Sequence, residues 1–204
     1  MFRPLALSLA LLAPSLPALA ADYSDPTWPC VQRKVETLSP GLMWAFPLDP
    51  AAVAPDEARD RDVRELAGYL SLRRVPLEEL EPRVAAFAET YAGDPEALGL
   101  AFYTVFDTLS KRRSRIINGI GDFSLSQIAL AEQIDANRVA MDVQMAKDAP
   151  DFDAVDALEE KIDWDQIIYT DRQRNIAYLC ETPTLLERRL FGIAQMLQRV
   201  AVVE

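Results

Sequence analysis

The chain contains no histidine, and this absence narrows the chemistry that it can perform. Catalytic triads with an imidazole base, H-E-x-x-H zinc sites and histidine-ligated haem are all excluded. Cysteine is also scarce, since Cys30 and Cys180 are the only two in 204 residues. The acidic stretch 151–165 lacks the glycine and the alternate spacing of a calcium loop. We therefore expect neither a metal nor a cofactor.

Long apolar runs are absent beyond the first residues of the chain. Residues 1–20 have the parts of a cleavable signal peptide: a positive Arg3, an apolar stretch from Leu5 to Ala13, and the small-x-small site Ala18-Leu19-Ala20. No later stretch reaches the roughly 18 apolar residues that a membrane-spanning helix needs. The sequence therefore predicts an exported, periplasmic protein that is not inserted in the membrane after cleavage.

Two cysteines in an exported chain predict one disulfide, between Cys30 and Cys180. Residues 21–28 are polar and contain proline, so we expect an extended N-terminal arm. The remainder, 29–204, is long enough for one helical domain. The disulfide would close that domain on itself.

Basic residues are outnumbered, at 21 against 32 acidic ones, and the formal net charge is −11. Nucleic acid and anionic lipid would repel such a chain, and no basic face with interleaved aromatic residues is present. Solubility is the simplest explanation of this charge. We expect no nucleic-acid partner, and the sequence leaves the oligomeric state open.

Apolar residues recur at steps of three and four, which predicts an all-α fold of about eight helices in a compact bundle or orthogonal array. The longest stripe runs from Leu98 to Ile120, and an unbroken seam runs from Leu186 to Val200. Proline, glycine and capping patterns set the predicted boundaries. The predicted helices begin near Pro29, Pro55, Pro76, Pro95, Leu125, Asp151, Asp163 and Pro183.

Polar residues interrupt the stripes of three predicted helices. If those faces meet, they form a polar interior that could bind a small anionic ligand, because a buried arginine needs a carboxylate or an anion. The alternative is that these side chains reach outward or form internal ion pairs with acids such as Asp107, Asp135 and Glu187. The candidate ligand-binding residues are Arg112, Arg113, Arg138, Asp171, Arg172 and Asn175.

The proline-rich stretch 39–55 carries three large apolar residues, Met43, Trp44 and Phe46. They either fill the helical core or form an exposed patch that binds a partner protein.

These observations favour a non-catalytic accessory or binding factor that acts on a partner protein or a small anionic ligand. No serine has a nucleophile context such as G-x-S-x-G, and no histidine is available as a base. The alternative is a carboxylate-dependent hydrolase or lyase that acts on a cell-envelope polymer, since such chemistry needs only two acids. The sequence does not single out any such pair.

The export prediction has a direct test. When the full chain is expressed in a secreting host, we expect Edman sequencing of the secreted protein to begin at Ala21. An N-terminus at Met1 in the secreted fraction would contradict cleavage.

Overall fold

The computed structural model describes residues 24–202 of the chain. The predicted signal peptide, 1–20, and the first residues of the predicted arm lie outside the described residues. Within 24–202 the fold is all-helical and contains no strand. Its four α-helices are α1 (Glu57–Leu70), α2 (Glu81–Thr90), α3 (Pro95–Met145) and α4 (Phe152–Arg199), and short 3-10 turns occur at Pro40–Leu42 and Glu78–Leu80.

The all-α prediction is confirmed, but the prediction of eight helices is wrong. No helix forms after Pro29, where the chain is irregular up to the first 3-10 turn. The helix boundaries predicted near Leu125, Asp163 and Pro183 do not occur, and α3 and α4 run through them. Two long helices, of 51 and 48 residues, therefore replace five predicted ones.

Two glutamines, Gln127 and Gln166, stand three residues after Ser124 and Asp163, which is the spacing of a helix cap. Their side chains instead make contacts between α3 and α4. Gln127 lies inside α3, where its Nε2 atom donates to the carbonyl oxygen of Tyr169 at 3.2 Å. Gln166 lies inside α4 and accepts a hydrogen bond from Arg138 at 2.9 Å. Both side chains thus contact the other long helix, and α3 and α4 continue through these positions.

Pro183 also lies inside α4, although proline removes one helical N–H donor. Its neighbours compensate on both sides. Cys180 is held by the disulfide, and Leu186 and Leu190 are fully buried one and two turns further on. This anchoring keeps the helix continuous through the proline.

The main core, which we call the body, lies where the start of α3 packs against the end of α4. Helices α1 and α2 and the segment around Trp44 cover this pair. The predicted stripes starting at Leu98 and Leu186 both point into it. Its fully buried side chains include Leu70, Val84, Leu98, Phe102, Val105, Leu109, Leu186, Leu190, Ile193 and Leu197.

Polar side chains of α4 attach the irregular segments to this core. Arg189 donates to the carbonyl oxygens of Leu70 and Val75, both at 2.9 Å, and thereby satisfies the C-terminal end of α1. Gln198 accepts from the N–H of Ala45 at 2.9 Å and donates to the carbonyl oxygen of Met43 at 3.1 Å. The chain before α1 is therefore held in place by α4.

The structure confirms the disulfide between Cys30 and Cys180, with an S–S distance of 2.00 Å. Around it, Trp28, Ile117 and Ile120 form a second buried cluster. The segment that carries Cys30 passes directly over α3, because a Cβ atom on Gly121 would lie 3.3 Å from Thr27 Cβ. The bond thus fixes the N-terminal segment across the middle of both long helices.

Of the helices that lie within 24–202, none combines the length and the apolar character needed to span a bilayer.

Removal of the disulfide should destabilise the fold. The bond closes a loop of 150 positions, so the entropy model gives a loss of up to about 4 to 5 kcal/mol for the double variant Cys30→Ser, Cys180→Ser. Urea denaturation measures this loss. Reduction of the wild-type protein should reproduce it, and equal midpoints for the wild type and the variant would contradict the prediction.

Candidate functional site

The two long helices extend well beyond the body. We call residues 121–178, which include the 146–151 turn, the distal hairpin. The part of α3 that belongs to the distal hairpin has 25 residues and is about 37 Å long at 1.5 Å per residue. Neither α1 nor α2 reaches this part, since the buried cores involve α3 only up to Ile120. The distal hairpin is therefore a two-helix projection from a compact body.

Polar side chains form several of the contacts between the two helices of the distal hairpin. Besides the Gln127 and Arg138 contacts, Gln133 Nε2 donates to Asp165 Oδ2 at 2.9 Å. The apolar contribution is small, because Ile134, Val155 and Ile162 are its only large apolar side chains that are buried. Hydrogen bonds between polar side chains contribute little net free energy, about 0.5 to 1.5 kcal/mol each. The interior of the hairpin therefore buries little apolar surface.

The outside of the distal hairpin, by contrast, is rich in apolar side chains. It holds ten of the sixteen large apolar residues that are exposed between 24 and 202. Exposed contiguous apolar surface on a soluble protein marks an interaction site. The ten residues are Leu125, Ile128, Val139, Val143, Met145, Phe152, Trp164, Ile167, Ile168 and Tyr178.

Charge is concentrated on the same projection. The distal hairpin carries thirteen acidic and five basic side chains, a net charge of −8, whereas the whole chain carries −11. On α4, a groove of about 340 Å³ brings four carboxylates around Trp164 and Ile167. These are Asp156, Glu159, Glu160 and Asp163, and within the described range none of the four forms an ion pair.

The structure does not bring the predicted ligand-binding residues together. Arg138 is exposed and pairs with Asp135 on its own helix at 3.2 Å. On α4, Asp171 pairs with Arg174 at 3.3 Å, and the side chain of Asn175 donates to the carbonyl oxygen of Asp171. Arg172 is exposed, and Arg112 is half-buried.

Arg113 is the one candidate that is buried, with 4% of its surface exposed. It takes the place in the α3 stripe one turn after Leu109. Its guanidinium lies 3.7 Å from a Glu187 carboxylate oxygen and donates to the carbonyl oxygen of Glu36 at 3.4 Å. Burial lowers the pKa of Arg113, and the nearby Glu187 offsets part of that effect. The ion-pair alternative therefore describes Arg113 and Arg138 better than a ligand cavity does.

The three predicted partner-binding residues, Met43, Trp44 and Phe46, pack on the body. Trp44 is 4% exposed and its ring stacks on Phe102 with centroids 5.3 Å apart. A Cβ atom on Gly99 would lie 3.2 Å from Trp44 Nε1, so the glycine permits this close approach. Met43 and Phe46 are partly buried against the same core. Trp44 thus fills the core and offers no surface to a partner.

The carboxyl groups with shifted pKa values do not resemble those of a general acid. The Tyr91 hydroxyl donates to Asp62 at 2.8 Å and lowers the pKa of that carboxyl group. Thr27 and then Lys34 hydrogen-bond to Asp25 and lower its pKa to about 2. A general acid needs a raised pKa. Both groups therefore stay ionised at neutral pH.

No family model matches the chain, and neither a curated protein nor a solved structure is significantly similar to it.

Sequence reasoning missed the outer surface of the distal hairpin, although a signal for it exists. Trp164, Ile168, Asn175 and Tyr178 follow one another at helical steps and form a second row on α4. Ile168 is 39% exposed. A helix with two rows of large side chains can pack against two neighbours, and the buried row alone does not predict the exposed one.

Substitutions of the two partners of the Arg113 ion pair should have different effects on stability. Glu187→Gln removes the carboxylate while Arg113 stays buried, so we expect the free energy of unfolding to fall by about 1 kcal/mol. Arg113→Met removes the buried charge and keeps the aliphatic volume, so it should be neutral or stabilising. Urea denaturation measures both. Arg112→Met is the matched control, and a loss of more than about 2 kcal/mol in Arg113→Met would show that the charge itself stabilises the fold.

Proposed function

We propose that this protein is an exported, periplasmic, non-catalytic accessory factor whose distal hairpin docks a partner protein. The proposal depends on one observation: the hairpin exposes ten large apolar side chains and buries only three. A helix pair that served only its own stability would have the reverse arrangement. The body, in contrast, buries its apolar residues and supports the hairpin.

Two exposed rows are available for a partner. On α3, Leu125, Val139 and Val143 are 46%, 62% and 59% exposed. On α4, Trp164 and Tyr178 are 61% and 72% exposed. Aromatic residues are enriched among those that contribute most to binding energy at protein interfaces. We therefore assign partner binding to the distal hairpin and no longer to Met43, Trp44 and Phe46.

Site-specific photo-crosslinking in the exporting cell tests this proposal. A photoreactive residue at Val139 or Ile168 should give a discrete cross-linked product with the same partner, identified by mass spectrometry. The same residue at Arg64 or Glu89, which are exposed on the body, should not. Equal products from the body positions would contradict docking by the hairpin. Measurable glycan cleavage without any cross-linked product would favour the alternative, a carboxylate-dependent enzyme.

A further inference from the structure

We infer that the partner presents a basic amphipathic helix, and that this helix lies along the outer face of α4 with its lysine or arginine residues against the acids around Trp164. This inference rests on the proposed function and specifies the chemistry of the partner. We call the docking surface the outer α4 face and define it by Trp164, Ile167, Ile168 and Tyr178, together with the acids Asp156, Glu160 and Asp163.

The shape of the outer α4 face fits an elongated apolar ligand. Trp164 and Tyr178 are 14 positions apart on one continuous helix, which corresponds to about 21 Å or four turns. Ile167 and Ile168 lie between them and are 53% and 39% exposed. Trp164 lies three and four positions before Ile167 and Ile168, and Asn175 and Tyr178 resume the row seven and ten positions after Ile168. A second helix packs against side chains at such helical steps. A small molecule would cover only part of this length.

The negative charge of the outer α4 face favours a basic partner. The four carboxylates of the groove have no cationic partner within residues 24–202, and they surround an exposed indole ring. A lysine or arginine would pair with the carboxylates and could also stack on Trp164 in a cation–π contact. An apolar partner without charge would leave the mutual repulsion of these carboxylates in place.

The same charges disfavour the other occupants. A second copy would bring one hairpin of charge −8 against another, which is repulsive. A metal ion needs several converging ligands, and nowhere in the described part of the chain do three acidic or cysteine side chains form such a group. The acids are instead spread along the helix, as the basic residues of a bound helix would be.

Tryptophan fluorescence provides a local readout of binding. Trp164 is 61% exposed, whereas Trp28 and Trp44 are 6% and 4% exposed, so acrylamide quenching of the native protein reports mainly on Trp164. The probe is a synthetic 18-residue helical peptide with a leucine stripe flanked by lysines. It should protect Trp164 from quenching, and its affinity should fall by about tenfold between 50 and 300 mM salt.

Matched charge reversals locate the binding face. The double variant Glu160→Lys, Asp163→Lys should weaken peptide binding by about tenfold or more because it replaces attraction by repulsion. Glu79→Lys, Glu89→Lys changes the net charge equally on an exposed part of the body and should leave most of the affinity intact. Circular dichroism melting curves confirm that both variants fold. Trp164→Ala should also weaken binding, with the loss followed by calorimetry.

Several outcomes would overturn the inference. The first is that a peptide with glutamates in place of lysines binds as tightly as the lysine peptide, and the second is that the two double variants bind the lysine peptide with equal affinity. The third is that spermine displaces the peptide completely. The fourth is that sedimentation shows a concentration-dependent dimer that Trp164→Ala abolishes. If cross-links from Val139 and Ile168 to a partner persist in any of these cases, the docking function stands and only the basic-helix chemistry fails. If those cross-links are absent as well, the docking function itself fails.

Discussion

The packing of the first turns of α3 against the last turns of α4 determines the rest of the structure. Phe102, Leu190 and Ile193 are fully buried in this contact, and α1, α2 and the Trp44 segment gather around it. Because each long helix has about 50 residues and the body with the disulfide cluster covers only about half of that length, the remaining turns project. The distal hairpin is thus a direct result of helix length and of packing at one end.

The distal hairpin exposes more large apolar residues than it buries. Gln127, Gln133 and Arg138 hydrogen-bond between the two helices of the hairpin, and of these three only Gln127 is buried. Outside it, aromatic and branched residues face solvent beside unpaired acids. Polar contacts fix the register of the two helices and add little to the stability of the fold. The exposed apolar side chains of the hairpin would release free energy when a bound partner buries them. This distribution connects the sequence to the proposed docking role.

The sequence predicts the buried stripes well and the helix ends poorly. The stripes beginning at Leu98 and Leu186 are periodic over several turns, and both are buried as predicted. Ser124 with Gln127 and Asp163 with Gln166 have the spacing of helix caps, but the same spacing also suits a side chain that crosses to a neighbouring helix. Only the partner atom distinguishes the two, and that atom lies 42 residues away in sequence for Gln127 and 28 residues away for Gln166. The candidate ligand-binding residues lie apart in the structure for the same reason, since a break in an apolar stripe does not show which residue faces it.

The position of the disulfide has a mechanical consequence. Cys180 lies where α4 leaves the body, and its bond to Cys30 fastens the N-terminal segment across α3 at Gly121, at the base of the distal hairpin. A force applied near the tip of the distal hairpin would act on this base at a distance of about 37 Å. The disulfide lies at this base, where the bending moment would be greatest. Reduction of this one bond would therefore release the N-terminal segment from the base of the hairpin and leave the outer surface of the hairpin chemically unchanged.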